Sequence, residues 1–112
     1  MVPWSILNKP EQIDEIVAES RKVPVVVYKH STRCGVSSAA KSDLEHDWDL
    51  QPDEIKPYYL DVVGSRNLSH QVARLFGVRH ESPQIILIRN GKATFTSSHW
   101  NISVDALRDA LV

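Results

Sequence analysis

The chain has 112 residues, 42% of them hydrophobic and 24% charged, with a net charge of −1. That suits one compact domain over residues 1–112 with a single core, and the near-neutral balance gives no bulk argument for nucleic acid or an anionic membrane as partner. No stretch approaches the roughly 20 apolar residues of a membrane span.

Residues Met1–Leu7 lack the basic and long apolar regions of a signal peptide. A single cysteine, Cys34, cannot form an internal disulfide. The expected location is therefore a reducing cytoplasm.

In chain order, Ile13, Ile16 and Val17 follow helical spacing behind Pro10, a residue suited to a first helical position. Residues 23–29 are dense in β-branched side chains and predict a buried strand. A second helix is predicted from Gly35 to His46, with Val36, Ala39, Ala40 and Leu44 inward. The acidic stretch Asp47–Lys56 contains Pro52 and reads as a loop. Pro57–Val63 predicts a second core strand, stopped by Gly64. Leu68, Val72, Leu75 and Phe76 form a helical stripe, with Gly77 placed to cap it. Gln84–Ile88 and Ala93–Thr96 flank Asn90-Gly91, the signature of a hairpin with a type I′ turn. Ser103 can cap a last helix that buries Val104, Leu107 and Leu111.

Two strand–helix–strand units imply parallel pairing with right-handed crossovers, and the hairpin adds antiparallel strands. The expected fold is α/β and thioredoxin-like: a small mixed sheet with helices on both faces.

Cys34 stands where the first strand hands over to the second helix. Backbone N–H groups at a helix N-terminus lack intrahelical partners and carry partial positive charge. A thiolate there is stabilised, and its pKa falls below the free value of about 8.5. Cys34-x-x-Ser37 is a Cys-x-x-Cys redox motif with its second thiol replaced by a hydroxyl, so no internal resolving thiol exists. Thr32, Arg33 and Ser37 are the candidate supports of the thiolate. Ser37 has two compatible uses, satisfying first-turn amides or donating to the sulfur. Lys29, His30 and Arg33 add positive charge that favours the anion; Lys29, Arg33 and Arg79 form a basic set able to attract the carboxylates of a small thiol, and His30 is a further candidate for substrate binding.

In the thioredoxin-like order, Pro83 falls just before the hairpin. That fold places a cis proline there beside the reactive cysteine, so Ser82 and Pro83 are expected to face substrate. His80 is expected to line or brace this loop, while His46 and His70 read as solvated. Asp61 reads as a strand-end residue bonding a loop amide, and Trp100 as a packing residue. The five histidines show no metal-ligand spacing, so no metal site and no bound cofactor are expected.

Several segments together resemble a known family. Lys29-His30-Ser31-Thr32-x-Cys34-x-x-Ser37, Tyr59-Leu60-Asp61-Val62, His80-Glu81-Ser82-Pro83-Gln84 and Ser98-His99-Trp100-x-Ile102 are similar to the YtxJ-like monothiol bacilliredoxins. The resemblance covers about residues 20 to 102. It implies a thioredoxin-like fold, a cytoplasmic and stress-linked role, and removal of bacillithiol from S-thiolated client proteins. Cys34 would be the nucleophile, Ser82-Pro83 the substrate-facing loop, and bacillithiol a co-substrate. One departure is Gly35, where the family commonly has proline; glycine loosens the first helical turn.

Two other classes of function are compatible with the residues. One is a thioredoxin-like binding module without turnover, docking a partner through the Cys34 and Ser82-Pro83 loops. The other is an arsenate-reductase-like enzyme, which the lack of an arginine cluster after Cys34 disfavours.

Overall fold

Every residue of the strand Val25–His30 is buried, and the fold is arranged around it. In the computed structural model, which describes residues 1–112, the order is β1 (Ser5–Ile6), α1 (Gln12–Glu19), β2 (Val25–His30), α2 (Gly35–Asp47), β3 (Lys56–Asp61), α3 (Arg66–Phe76), β4 (Gln84–Arg89), β5 (Lys92–Ser98) and α4 (Val104–Leu111). A 3-10 turn, His99–Asn101, joins β5 to α4. The strands lie side by side as β1-β3-β2-β4-β5. The first three in that row are parallel, and β4 and β5 run antiparallel to their neighbours.

Successive strand residues point to opposite faces, so the sheet builds two cores. Val25 and Val27 of β2 join Leu60, Ile86 and Ile88 on one face, covered by Ile13 and Ile16 of α1 and by Leu68 and Val72 of α3. Val26 and Tyr28 join Ile85 and Leu87 on the other, covered by Ala40 and Leu44 of α2 and by Val104 and Leu107 of α4. Trp4 stacks on Tyr28, with ring centroids 5.5 Å apart, and extends this second core toward Trp48 and Tyr59.

Local chemistry explains several boundaries. Asn90 and Gly91 both have positive φ, at 53° and 76°, as a type I′ turn requires. Gly77 takes the left-handed conformation at φ 65°, and the Val78 amide donates back to the Ala73 carbonyl at 3.0 Å, closing α3. Ser103 Oγ accepts from the Ala106 amide at 3.0 Å and caps α4. Pro57 is tolerated inside β3 because amides alternate sides. The Lys56 amide bonds toward β2, so the Pro57 nitrogen faces the β1 side, where pairing begins only at Tyr58.

The structure corrects five sequence expectations. β1 was not foreseen, since two residues carry no periodicity. Pro10 lies before α1 rather than at its first position. β3 ends at Asp61, and Val63 is exposed. On α3, Ala73 is buried and Leu75 is exposed. Finally, only one of the two expected crossover units, β2-α2-β3, pairs in parallel. After α3 the chain returns to the end of the sheet where β3 finished: His80 meets Lys29, and Gln84 pairs with Lys29. β4 must therefore run antiparallel beside β2.

Candidate active site around Cys34

Cys34 is the N-cap residue of α2, with an extended backbone at φ −120° and ψ 119°. It is partly exposed and unpaired. Its pKa lies below the ordinary thiol value. The Ser37 amide is the largest cause, and the Val36 amide and Ser37 hydroxyl add to it, while partial burial works the other way. The neutral thiol makes no capping hydrogen bond of its own; the anion is what draws on these donors.

Ser37 is completely buried, and its hydroxyl also accepts from the Ser31 amide at 3.2 Å. The amide it satisfies belongs to the loop before Cys34 and not, as expected of this serine, to the first turn of α2. Thr32 and Arg33 are exposed on the loop before Cys34. The Arg33 amide donates to Ser31 Oγ at 3.3 Å, which tightens that loop.

Two residues expected to meet substrate are buried. Lys29 is wholly buried; its ammonium donates to the Ser69 carbonyl at 3.1 Å and approaches His80 Nδ1 at 3.0 Å. His30 is buried on the opposite face of β2, with Nδ1 3.1 Å from the Tyr28 hydroxyl. The physical reason is that β2 is central and covered on both sides, so even its charged residues turn inward. The thiolate accordingly draws on helix amides and Ser37 rather than on Lys29 or His30.

Tyr28 is a participant that sequence reading missed. Its hydroxyl donates to the Ser37 carbonyl at 2.8 Å. With its one proton given there, it can only accept from His30, which must carry hydrogen on Nδ1. Burial, then the Lys41 charge, lowers the His30 pKa and favours this neutral form. Burial likewise raises the Tyr28 pKa, so the phenol stays protonated. The only signal in the sequence was a tyrosine inside an apolar run, whose hydroxyl would need a partner once buried.

The Ser82–Pro83 bond is cis. The Pro83 carbonyl accepts from the His99 amide at 3.0 Å, which fastens this loop to the 3-10 turn. Gln84 pairs with Lys29, so Pro83 and the Cys34 loop lie at the same end of neighbouring strands. Ser82 Oγ is buried without a partner. Trp100, expected to pack, is instead 77% exposed on the 3-10 turn, which packs near α2. Asp61 Oδ1 accepts from the Val63 amide at 3.0 Å, the loop-bracing role expected of it. Arg79 is exposed, and His80 braces the interior rather than lining the Cys34 loop alone. No three His, Cys, Asp or Glu side chains are grouped to hold a metal ion.

The family model for monothiol bacilliredoxin BrxC matches residues 5–107. The chain belongs to the monothiol bacilliredoxin family. Among solved structures, it is similar to a thioredoxin-fold protein proposed to be an oxidoreductase: 32% identity, 94% of this chain and 90% of that one covered, TM-score 0.77. It also resembles the thioredoxin of Malassezia sympodialis, at 20% identity with 99% and 90% covered and a TM-score of 0.73. The thioredoxin of Trypanosoma brucei brucei is alike at 19% identity, 96% and 87% covered, TM-score 0.74. The two thioredoxins are alike in fold. Membership of the bacilliredoxin family supports a role of the thiol–disulfide oxidoreductase kind. No helix is long and apolar enough to cross a membrane.

Proposed function

We propose that the protein is a monothiol thiol–disulfide oxidoreductase that removes bacillithiol from S-thiolated client proteins in the cytoplasm. The observation that carries this reading is the setting of Cys34. It is the sole sulfur nucleophile of the chain, partly exposed, and its anion is favoured by the Ser37 and Val36 amides and the Ser37 hydroxyl.

The Cys34 thiolate attacks the small thiol's sulfur in the mixed disulfide. The client sulfur leaves as a thiolate and takes a proton from water, and Cys34 keeps the small thiol as a new disulfide. A second, external thiolate then attacks that disulfide, leaves as a low-molecular-weight disulfide, and frees Cys34. Exchange of this kind needs a thiolate, access and alignment along the disulfide axis. Ser82 and Pro83 are the residues on which we expect the substrate backbone to rest.

Intact mass spectrometry after mixing with a bacillithiolated client tests the reading. We expect one bacillithiol on Cys34 for each client reduced, and none with Cys34→Ser. A client left capped beside unmodified Cys34 would overturn it in favour of a docking module without turnover.

A further inference from the structure

Lys29 carries a charge that no acid in the fold neutralises. It is wholly buried, forms no ion pair, and is held by two neutral acceptors, the Ser69 carbonyl and His80 Nδ1. Burial pushes its pKa down to about 8, which still leaves a cation at neutral pH. A buried charge without an opposite partner is costly. Because Nδ1 accepts from Lys29, neutral His80 keeps its proton on Nε2 and presents a donor there.

A cavity of about 250 Å³ opens beside this pair, and its polar lining is Ser31, Arg33, Arg66, Ser69, His70 and His80. The His70 and His80 rings lie against each other, tilted by 44° with centroids 4.6 Å apart. No carboxylate lines the cavity, and neither arginine is in an ion pair. The neighbouring acids are engaged elsewhere: Asp61 accepts from the Val63 amide, and Glu81 from the Ser98 hydroxyl. In a chain of net charge −1, a recess lined by cations and donors, with a buried cation behind, is complementary to an anion. Guanidinium groups pair best with planar oxyanions such as carboxylates. Ser31 and Arg33 belong to the loop that leads into Cys34, so the cavity adjoins that loop, although Cys34 itself is not among its lining residues.

We propose that this cavity is a carboxylate-binding subsite for the small thiol that Cys34 accepts, with Arg33 and Arg66 pairing its carboxylates and the Lys29–His80 pair behind them. The assignment rests on the proposed thiol exchange, and two measurements separate their failures. In the Cys34→Ser protein, succinate is titrated while the His70 and His80 imidazoles are followed by NMR. We expect saturable shifts that disappear on adding Arg66→Ala. No saturable shift overturns the subsite, whatever the thiol chemistry. In the reactive protein, capping of Cys34 by the disulfide of mercaptosuccinate is compared with capping by neutral hydroxyethyl disulfide. Losing one charged hydrogen-bonded contact should lower the ratio of the two rate constants about tenfold in Arg66→Ala. An unchanged ratio overturns the subsite's link to the thiol. Refusal of both disulfides by the wild-type protein overturns the exchange itself, and this assignment with it.

Discussion

Tyr28 and Ser37 tie the floor of the sheet to the first turn of α2, the phenol donating to the serine carbonyl at 2.8 Å. The bond crosses from the central strand to the helix that carries the thiol, and His30 completes it from below at 3.1 Å. Tyr28→Phe keeps the ring and its stacking on Trp4 but removes the hydroxyl. The buried His30 Nδ1–H then loses its acceptor, at a cost of about 1–3 kcal/mol for an unsatisfied buried donor. Urea unfolding of the two proteins measures it. Equal stabilities would mean that the network contributes nothing to holding the turn.

The frame of the molecule was legible because its signals are local. Val25–Val27 announce a strand, Asn90-Gly91 fixes a turn, Gly77 and Ser103 end and begin helices, and each acts through its own backbone. Cys34 and Ser37 were legible for the same reason, being one helical turn apart. What escaped depends on register. Lys29 and His30 read as charges that favour the thiolate and meet substrate, and only the pairing of β2 with both β3 and β4 shows that they are enclosed. Arg66 and His70 come near the Cys34 loop through α3, which no spacing along the chain reveals. Trp100 was expected to pack because tryptophan usually does; the positive φ of 56° at His99 is part of the turn that carries it outward.

Ser37→Ala should raise the Cys34 pKa, since it removes the hydroxyl but leaves the Ser37 amide, the larger cause of the lowering. Thiolate absorbance against pH reads the midpoint. A higher pKa lowers the thiolate fraction at neutral pH but makes each thiolate more nucleophilic. The two effects partly offset each other, so client reduction should slow by about 2- to 10-fold rather than stop. Cys34→Ser should abolish it. Complete loss in a folded Ser37→Ala protein would contradict this division of roles.

Gly35 occupies the first position of α2, and a Cβ there would meet nothing within 4 Å. Neither space nor a positive φ requires glycine at this site. Gly35→Ala should therefore stabilise the protein by about 0.4–1 kcal/mol, mainly by restricting the unfolded chain. Thermal unfolding checks the sign. A destabilised variant would mean that the turn before Cys34 shifts in a way the side chain obstructs.

Lys29 makes stability depend on pH in a defined direction. Its pKa is about 8 in the fold against 10.5 when unperturbed. Between these values the unfolded chain holds a proton that the folded chain has released, so raising pH favours folding. The penalty is fully present below pH 8 and is relieved as pH approaches 10.5. The stability difference between wild type and Lys29→Met should accordingly move toward wild type from pH 8 upward. Its slope is bounded by one proton, about 1.4 kcal/mol per pH unit. Taking the difference cancels Cys34 and the tyrosines, which titrate in the same range. A difference constant across this range would place the ammonium in contact with water.

The capped form of Cys34 should persist until an external thiol arrives, because no second sulfur nucleophile exists in the chain. Ser37 cannot expel the cap: its hydroxyl is protonated at neutral pH and attacks disulfide sulfur poorly. Without added thiol, the reaction should stop after one client per protein molecule and resume when thiol is supplied. Bacillithiol should restart it faster than glutathione if the cations beside Cys34 select among small thiols by their carboxylates. A time course by intact mass spectrometry follows client and enzyme together. Continued turnover without external thiol would contradict the monothiol mechanism. Equal restart by both thiols would leave that mechanism in place and remove the preference for bacillithiol.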